Sequence, residues 1–257
     1  MIKEINEILM KMGIQEIFSD DADISDERIC GHITNILSSQ NHACGDDEVS
    51  RACVALSGFV NNLNYTDIDK RTLLAHACKN ENKTDFIVHL IQQNIKTNTV
   101  DRWGETPLSE TARRPCLWGV FGLMVEKGAC INYRDGDGNT LIHIICQKCI
   151  DSTREDAMKI IRICVTKGVH IDKKNNSGET ALITTAIKRC DSIMFFLCDE
   201  MNADINIQDR RLETAGHHVN RQFGTVELLK NMTSRGLDFE IKNIYNQTAS
   251  DVRPLIA

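Results

Sequence analysis

Proline is scarce: the 257 residues contain three. So few backbone breaks, with apolar residues recurring at helical spacing, predict an all-α protein. No apolar run reaches the length that spans a bilayer, so no membrane span is expected. The N-terminus lacks a basic-then-apolar leader. Eleven cysteines, an odd number without a leader, fit a reducing compartment better than a disulfide framework. A cytoplasmic or nuclear location is therefore expected. An excess of positive charge is also missing, since the formal net charge is −6, which argues against general nucleic-acid binding. There is no nucleophile elbow, phosphate-binding loop or paired metal motif. No catalytic residue, cofactor or metal ligand is expected, and the chain reads as non-enzymatic.

What is present is a repeat. Thr72, Thr106, Thr140, Thr180, Thr214 and Thr248 recur at intervals of 34 residues, except for the third interval, which is 40. Self-similarity at this period predicts a stacked array rather than one mixed core. Gly104, Gly138 and Gly178 stand two residues before a threonine, where a tight turn needs positive φ. The threonine can then cap a helix by accepting from its exposed amides. Pro107 falls in the first helical turn, where its missing N–H costs little. Apolar pairs close a second helix in each repeat: Leu90-Ile91, Met124-Val125, Cys164-Val165 and Leu197-Cys198. One helical hairpin is too thin to bury its own apolar face, and stacking creates the core. Cys53, Cys164 and Cys198 read as small core hydrophobes.

Three segments carry the turn: Asp101-Arg-Trp-Gly-Glu-Thr106-Pro107-Leu108, Asp135-Gly-Asp-Gly138-Asn-Thr140-Leu-Ile-His143 and Asn175-Asn-Ser-Gly178-Glu-Thr180-Ala-Leu182. Three more close the unit: Gly128-Ala129-Cys-Ile131-Asn132, Gly168-Val-His-Ile171-Asp172 and Asn202-Ala203-Asp204-Ile205-Asn206. Together they resemble the ankyrin repeat, with its T-P-L-H-x-A core. The resemblance covers roughly residues 67–257. It implies an ankyrin-repeat solenoid of helix-turn-helix repeats with β-hairpin fingers, starting near 67, 101, 135, 175, 209 and 243, the last one truncated. Residues 1–66 are expected to supply an N-terminal helical cap: an extra helix over 1–20, an acidic linker at Ser19–Asp23, and a degenerate capping repeat over 25–66. Several positions depart from the pattern. Lys70 and Leu212 stand at the turn glycine and Gly216 at the helix leucine, so the fifth repeat is expected to be looser. About six extra residues lie within Cys146–Asp156, predicting a longer helix or a protruding loop.

The resemblance implies a protein-binding module, a scaffold, adaptor or inhibitor, that grips its partner on the finger tips and inner helices. Those positions hold Arg102 and Trp103, Arg134 and Asp137, Lys174 and Asn176, and Arg210 and Arg211. An exposed tryptophan is a strong binding anchor because it buries much area at little entropic cost; the alternative is that Trp103 packs on a neighbouring finger. Lys79, Arg113, Arg114, Lys148, Lys188 and Arg221 fall on successive inner helices, as a basic ladder suited to an acidic segment or as ordinary solvated charge. Nucleic acid through that ladder is a lesser reading. A pathogen effector or an inhibitor of host signalling would use the same surface, and an enzyme or regulatory arm would need an unrecognised site in 1–66. His143 and His217 occupy the motif histidine, which the family implies is structural. Cys146-x-x-Cys149 has zinc-ligand spacing without a second pair. Asp135-x-Asp137-x-Asn139 imitates a calcium loop but has Cys146 at its twelfth position.

Overall fold

Each repeat opens on a turn closed by its own first side chain. Asp67, Asp101, Asp135, Asn175, Asp209 and Asn243 each accept from the amides two and four residues ahead, at 2.7–3.1 Å. This is the geometry in which a short Asx side chain imitates a backbone turn. The fourth residue's amide returns to the first residue's carbonyl, and the fourth residue is left-handed in all six turns. Gly104, Gly138 and Gly178 adopt φ of 82°, 75° and 79°, as their placement predicts. Lys70, Leu212 and Asn246 adopt 62°, 55° and 59° without being glycine.

The computed structural model describes residues 2–12, 25–38, 46–80, 83–93, 95–221 and 226–252. The sequence's acidic linker at 19–23 lies outside them. After each turn the threonine starts a helix. Thr72, Thr106 and Thr180 accept from the amide three residues on, at 3.3, 3.1 and 3.3 Å, and Pro107 takes the first helical position. These contacts satisfy amides that a helix start leaves without a partner.

The chain divides into two compact units, Met1–Cys130 and Ile131–Ala257. The first contains α1 (Ile2–Lys11), α2 (Asp26–Ser38), α3 (Asp46–Ser57), α4 (Leu73–Lys79), α5 (Thr84–Gln92), α6 (Pro107–Ala112) and α7 (Trp118–Glu126). First helices stack as α2–α4–α6 and second helices as α3–α5–α7, with α1 against α3. The α2–α3 pair thus stacks as a repeat would, and Asp26 ties its far end by accepting from the amides of Asn61 and Asn62 at 2.9 and 2.8 Å. Leu74, Phe86, Leu90, Leu108, Phe121 and Met124 are wholly buried between the two layers.

The second unit contains α8 (Leu141–Lys148), α9 (Arg154–Thr166), α10 (Ala181–Lys188), α11 (Asp191–Asp199), α12 (Ala215–Arg221) and α13 (Val226–Thr233). Here α8–α10–α12 form one layer, while α9 packs on α11. The extra residues of the third repeat become a 3-10 turn, Asp151–Thr153, and a second helix of 13 residues. Ile145, Ile161, Leu182, Leu197 and Met232 fill this core. Among the described residues, the only extended pairing is three isolated antiparallel bridges at finger stems: Thr66 with Thr72, Arg134 with Thr140, and Lys242 with Thr248.

Gly216 has a packing reason that the expectation of a looser repeat did not foresee. A Cβ there would lie 2.8 Å from a methyl of Leu237, itself buried. Helix α12 forms with Gly216 at this close approach, so the missing leucine leaves no void. Cys53 and Cys164 are core residues, and burial pushes both thiols up to about 12. Cys198 is only half-buried and belongs to the edge of the core.

Candidate protein-binding surfaces

In the first unit, two finger tips carry exposed apolar side chains. Ile68 is 96% exposed and Trp103 is 57% exposed. Arg102 donates its amide to the Asp69 carbonyl at 3.0 Å, joining the two fingers through the backbone. The Trp103 indole is walled by cations: the Arg71 guanidinium carbon stands 4.1 Å from the ring centroid, Arg102 5.5 Å and the Lys79 ammonium 5.6 Å. Each such contact contributes about 0.5–1 kcal/mol at an exposed site. Arg71 is held in place by Asp101 at 3.0 Å, and Arg102 by Asp69 at 2.9 Å. The indole is thus both exposed and braced by a neighbouring finger, a combination of the two sequence readings. Arg71 was not among the sequence candidates, because its approach to Trp103 arises from repeat stacking.

The basic ladder is largely neutralised in this unit. Arg113 pairs with Glu105 at 2.9 Å, Arg114 with Glu110 at 2.6 Å, and Lys79 with Glu110 at 3.7 Å. Arg113 and Arg114 are half-buried. Their charges close the unit's own surface, so an incoming acidic group would have to displace a carboxylate already at hydrogen-bond distance.

The second unit differs. Arg221 is committed to Glu213, which is fully buried. Arg134 donates to the carbonyls of Gly138 and Lys174, Lys174 to the Gln208 carbonyl at 2.7 Å, and Asn176 to the Gly136 carbonyl at 3.1 Å. These three finger residues therefore brace successive fingers. Backbone contacts add to the bracing, with Asn176 N to Asp137 O at 2.8 Å and Arg210 N to Ser177 O at 3.1 Å. Asp137 remains exposed at its tip. Lys148, Lys188, Arg210 and Arg211 are exposed and, among the described residues, make no ion pair. An open pocket of about 490 Å³ is lined by Ser177, Glu179, Arg210, Arg211, His218 and Arg221 among others. Tyr245 and Ile244, 68% and 53% exposed, extend the tips at the last finger.

The histidines are accounted for by hydrogen bonds. His143 Nε2 donates to the Glu179 carbonyl at 3.0 Å, which leaves Nδ1 to accept from the Thr140 hydroxyl at 2.9 Å. His217 repeats this with Gln247 and Thr214 at the same distances. Both rings are buried, and burial holds both below the usual histidine range. A buried neutral ring joining one repeat's threonine to the next turn is a structural tie. Asn206 acts similarly, donating to the Gly236 carbonyl and accepting from Asp238 N at 2.8 and 2.9 Å.

One group of metal-ligand types comes together among the described residues: Asp209, Glu213 and His218. It is already satisfied by the protein. Asp209 Oδ1 accepts two turn amides, its Oδ2 accepts from His218 at 2.9 Å, and Glu213 is paired with Arg221. The first repeat has the same arrangement without the glutamate, His76 on Asp67 at 2.8 Å. The triad reads as a recurring fastening of turn to helix. The calcium-like Asp135 is likewise occupied by the amides of Asp137 and Asn139.

No family model matches the chain. Solved structures show the fold. The ankyrin repeat domain of human ASB11 superposes with a TM-score of 0.68, at 19% identity, over 88% of this chain and 92% of that one. The ankyrin repeat domain of Bcl-3, described as a unique member of the IkappaB protein family, gives 0.62, at 19% identity, over 91% and 95%. Among curated proteins, an ankyrin repeat protein of Variola virus is 27% identical over 127 residues, half of this chain. The match spans 22% of that viral protein, and two other curated relatives are matched over 9% and 7% of their length. The repeated turn, the threonine start and the paired helices define the ankyrin-repeat fold. The chain is built of that fold, a typical protein–protein interaction module.

Proposed function

We propose that this chain is a non-enzymatic scaffold, adaptor or inhibitor that binds a partner protein through its finger tips and first-helix faces. The observation that carries the reading is Trp103, exposed on a finger tip and walled by Arg71, Arg102 and Lys79. A solvent-exposed indole held in one orientation loses little entropy when covered, and such residues supply most of the energy in protein interfaces. The four exposed cations of the second unit, Lys148, Lys188, Arg210 and Arg211, support a partner with an acidic segment, because they are free to exchange water for carboxylate. The likeness to a Variola virus protein supports a pathogen origin acting on host proteins, within the same binding role.

The test is affinity capture from cell extract with the full chain, Trp103→Ala and Lys148→Glu/Lys188→Glu, at low and high salt. The reading expects one protein to be retained by the parent and lost from the Trp103 variant. Its retention by the lysine variant should fall, with less sensitivity to salt. Equal capture by all three proteins would refute both surfaces. Host and non-host extracts run in parallel separate the pathogen reading from a cellular one.

A further inference from the structure

Among the described residues of the second unit, most of the exposed large apolar side chains stand on the last two finger tips: Leu212, Ile244 and Tyr245. The two fingers are locked together. Ile244 donates its amide to the Arg211 carbonyl at 3.1 Å. The Gln208 side chain spans both, donating to the Leu212 and Lys242 carbonyls at 2.7 and 3.1 Å. Asn243 donates to Glu213 at 3.2 Å. The patch is therefore preformed, and covering it costs little in ordering. Tyr245 holds the third place in its turn, the place that Trp103 holds in the first unit.

Beside the patch, positive charge is left over. Arg210 and Arg211 are exposed and, among the described residues, make no ion pair. The carboxylates that line their pocket are already committed, Asp209 to its turn amides and His218, and Glu179 to Asn175 at 2.9 Å. Apolar tips alone would accept any oily surface. Two unpaired guanidiniums next to them select a partner that brings carboxylate as well.

We propose that these two tips, Arg210–Leu212 and Ile244–Tyr245, form one docking site for an extended segment of the partner that carries a large apolar residue close to a carboxylate. The proposal rests on the protein-binding role above and gives that partner a recognisable chemistry. The apolar residue covers Leu212, Ile244 and Tyr245. The carboxylate meets Arg210 or Arg211, either of which can donate two parallel N–H···O bonds. The spacing follows from the stack. Neighbouring helices stand about 8–10 Å apart, and an extended chain rises about 3.3 Å per residue. The acid and the apolar residue are thus about two to four positions apart on the segment. Asp137, exposed on the third tip, ends the favourable stretch on the far side, because it repels a continuing run of acids.

The probe is a phage library of short random peptides, selected on the full chain at low salt. Enriched peptides should share an acid and a large apolar residue at that spacing. The most enriched one, made with a fluorescent label, is then measured by polarisation. Tyr245→Ala and Arg210→Glu/Arg211→Glu should each weaken it about tenfold. Salt should weaken binding to the parent more than to the arginine variant. Trp103→Ala should bind it as the parent does. All of these side chains are exposed, and circular dichroism matching the parent shows that the variants fold. No enrichment, or enriched peptides without the acid and apolar pair, would overturn the proposal. So would loss of binding in Trp103→Ala with none in Tyr245→Ala, a result that leaves the Trp103 surface standing. A parent that dimerises in light scattering, beside a monomeric Tyr245→Ala variant, would place a second copy of this chain on the patch and overturn the proposal too.

Discussion

Replacing Gly178 by alanine is expected to cost about 3 kcal/mol, and replacing Gly104 about 1 kcal/mol, although the two occupy the same place in their turns. Both are left-handed, at φ of 79° and 82°. A Cβ in that conformation costs about 1–2 kcal/mol, of which the stiffer unfolded chain returns about 0.4–1 kcal/mol. That difference is the whole cost at Gly104, where a Cβ would meet nothing within 4 Å. At Gly178 the Cβ would lie 2.7 Å from Arg210 N, the amide that donates to Ser177 O at 3.1 Å. Backbone must shift, adding about 1–3 kcal/mol of overpacking and threatening a finger-to-finger hydrogen bond of about 0.5–1.5 kcal/mol. Urea unfolding of each full-length variant by circular dichroism measures the difference. Hydrogen exchange at residues 209–211 shows whether the neighbouring finger carries it. Equal losses at both glycines would refute the close-approach reasoning, and no loss at Gly104 would refute the dihedral one.

Lys70→Gly should stabilise the first unit by about 0.5 kcal/mol, because relief of left-handed strain outweighs the added chain entropy; a fall in the urea midpoint would contradict this. Gly216→Leu, which writes the common repeat residue into α12, should destabilise by about 1 kcal/mol, since overpacking on Leu237 exceeds the gain in helix propensity, and a rise in thermal midpoint would oppose it. Acid should weaken the second unit through His143 and His217. Both are held below an unfolded value of about 6.5, so their stabilisation is complete above that pH and is lost as pH falls toward their folded values. Melts from pH 7.5 to 5 should show the decline, and the double His→Gln variant should flatten it. Carboxylates with lowered values, Asp209 and Glu213 among them, act in a separate window, below about pH 4.

The turns were legible because their chemistry is local: an Asx side chain, a left-handed residue and a capping threonine lie within six consecutive positions. The tie made by His143 was legible only through resemblance, since its acceptor at Glu179 lies 36 residues away. The charge state of the ladder was not legible. Glu105 and Glu213 stand just before a threonine and Glu110 lies in a first helical turn, ordinary places for acids in the sequence, and only folding shows that they face Arg113, Arg221 and Arg114. The same holds for the Arg71 wall on Trp103, which depends on how one repeat stacks on the next. The left-handed backbone at Lys70 and Leu212 was hidden for a different reason: the closing side chains of Asp67 and Asp209 hold the turn even where glycine is missing.

Because every finger is fastened by its own aspartate or asparagine, the chain restarts its ruler at each one. The longer spacing before Thr180 leaves the Asn175 turn in the same form as the others. The stretch between α8 and α9 is therefore a natural place to splice in foreign sequence, such as a reporter peptide or a labelling tag. The fingers downstream would keep count as though nothing had been added.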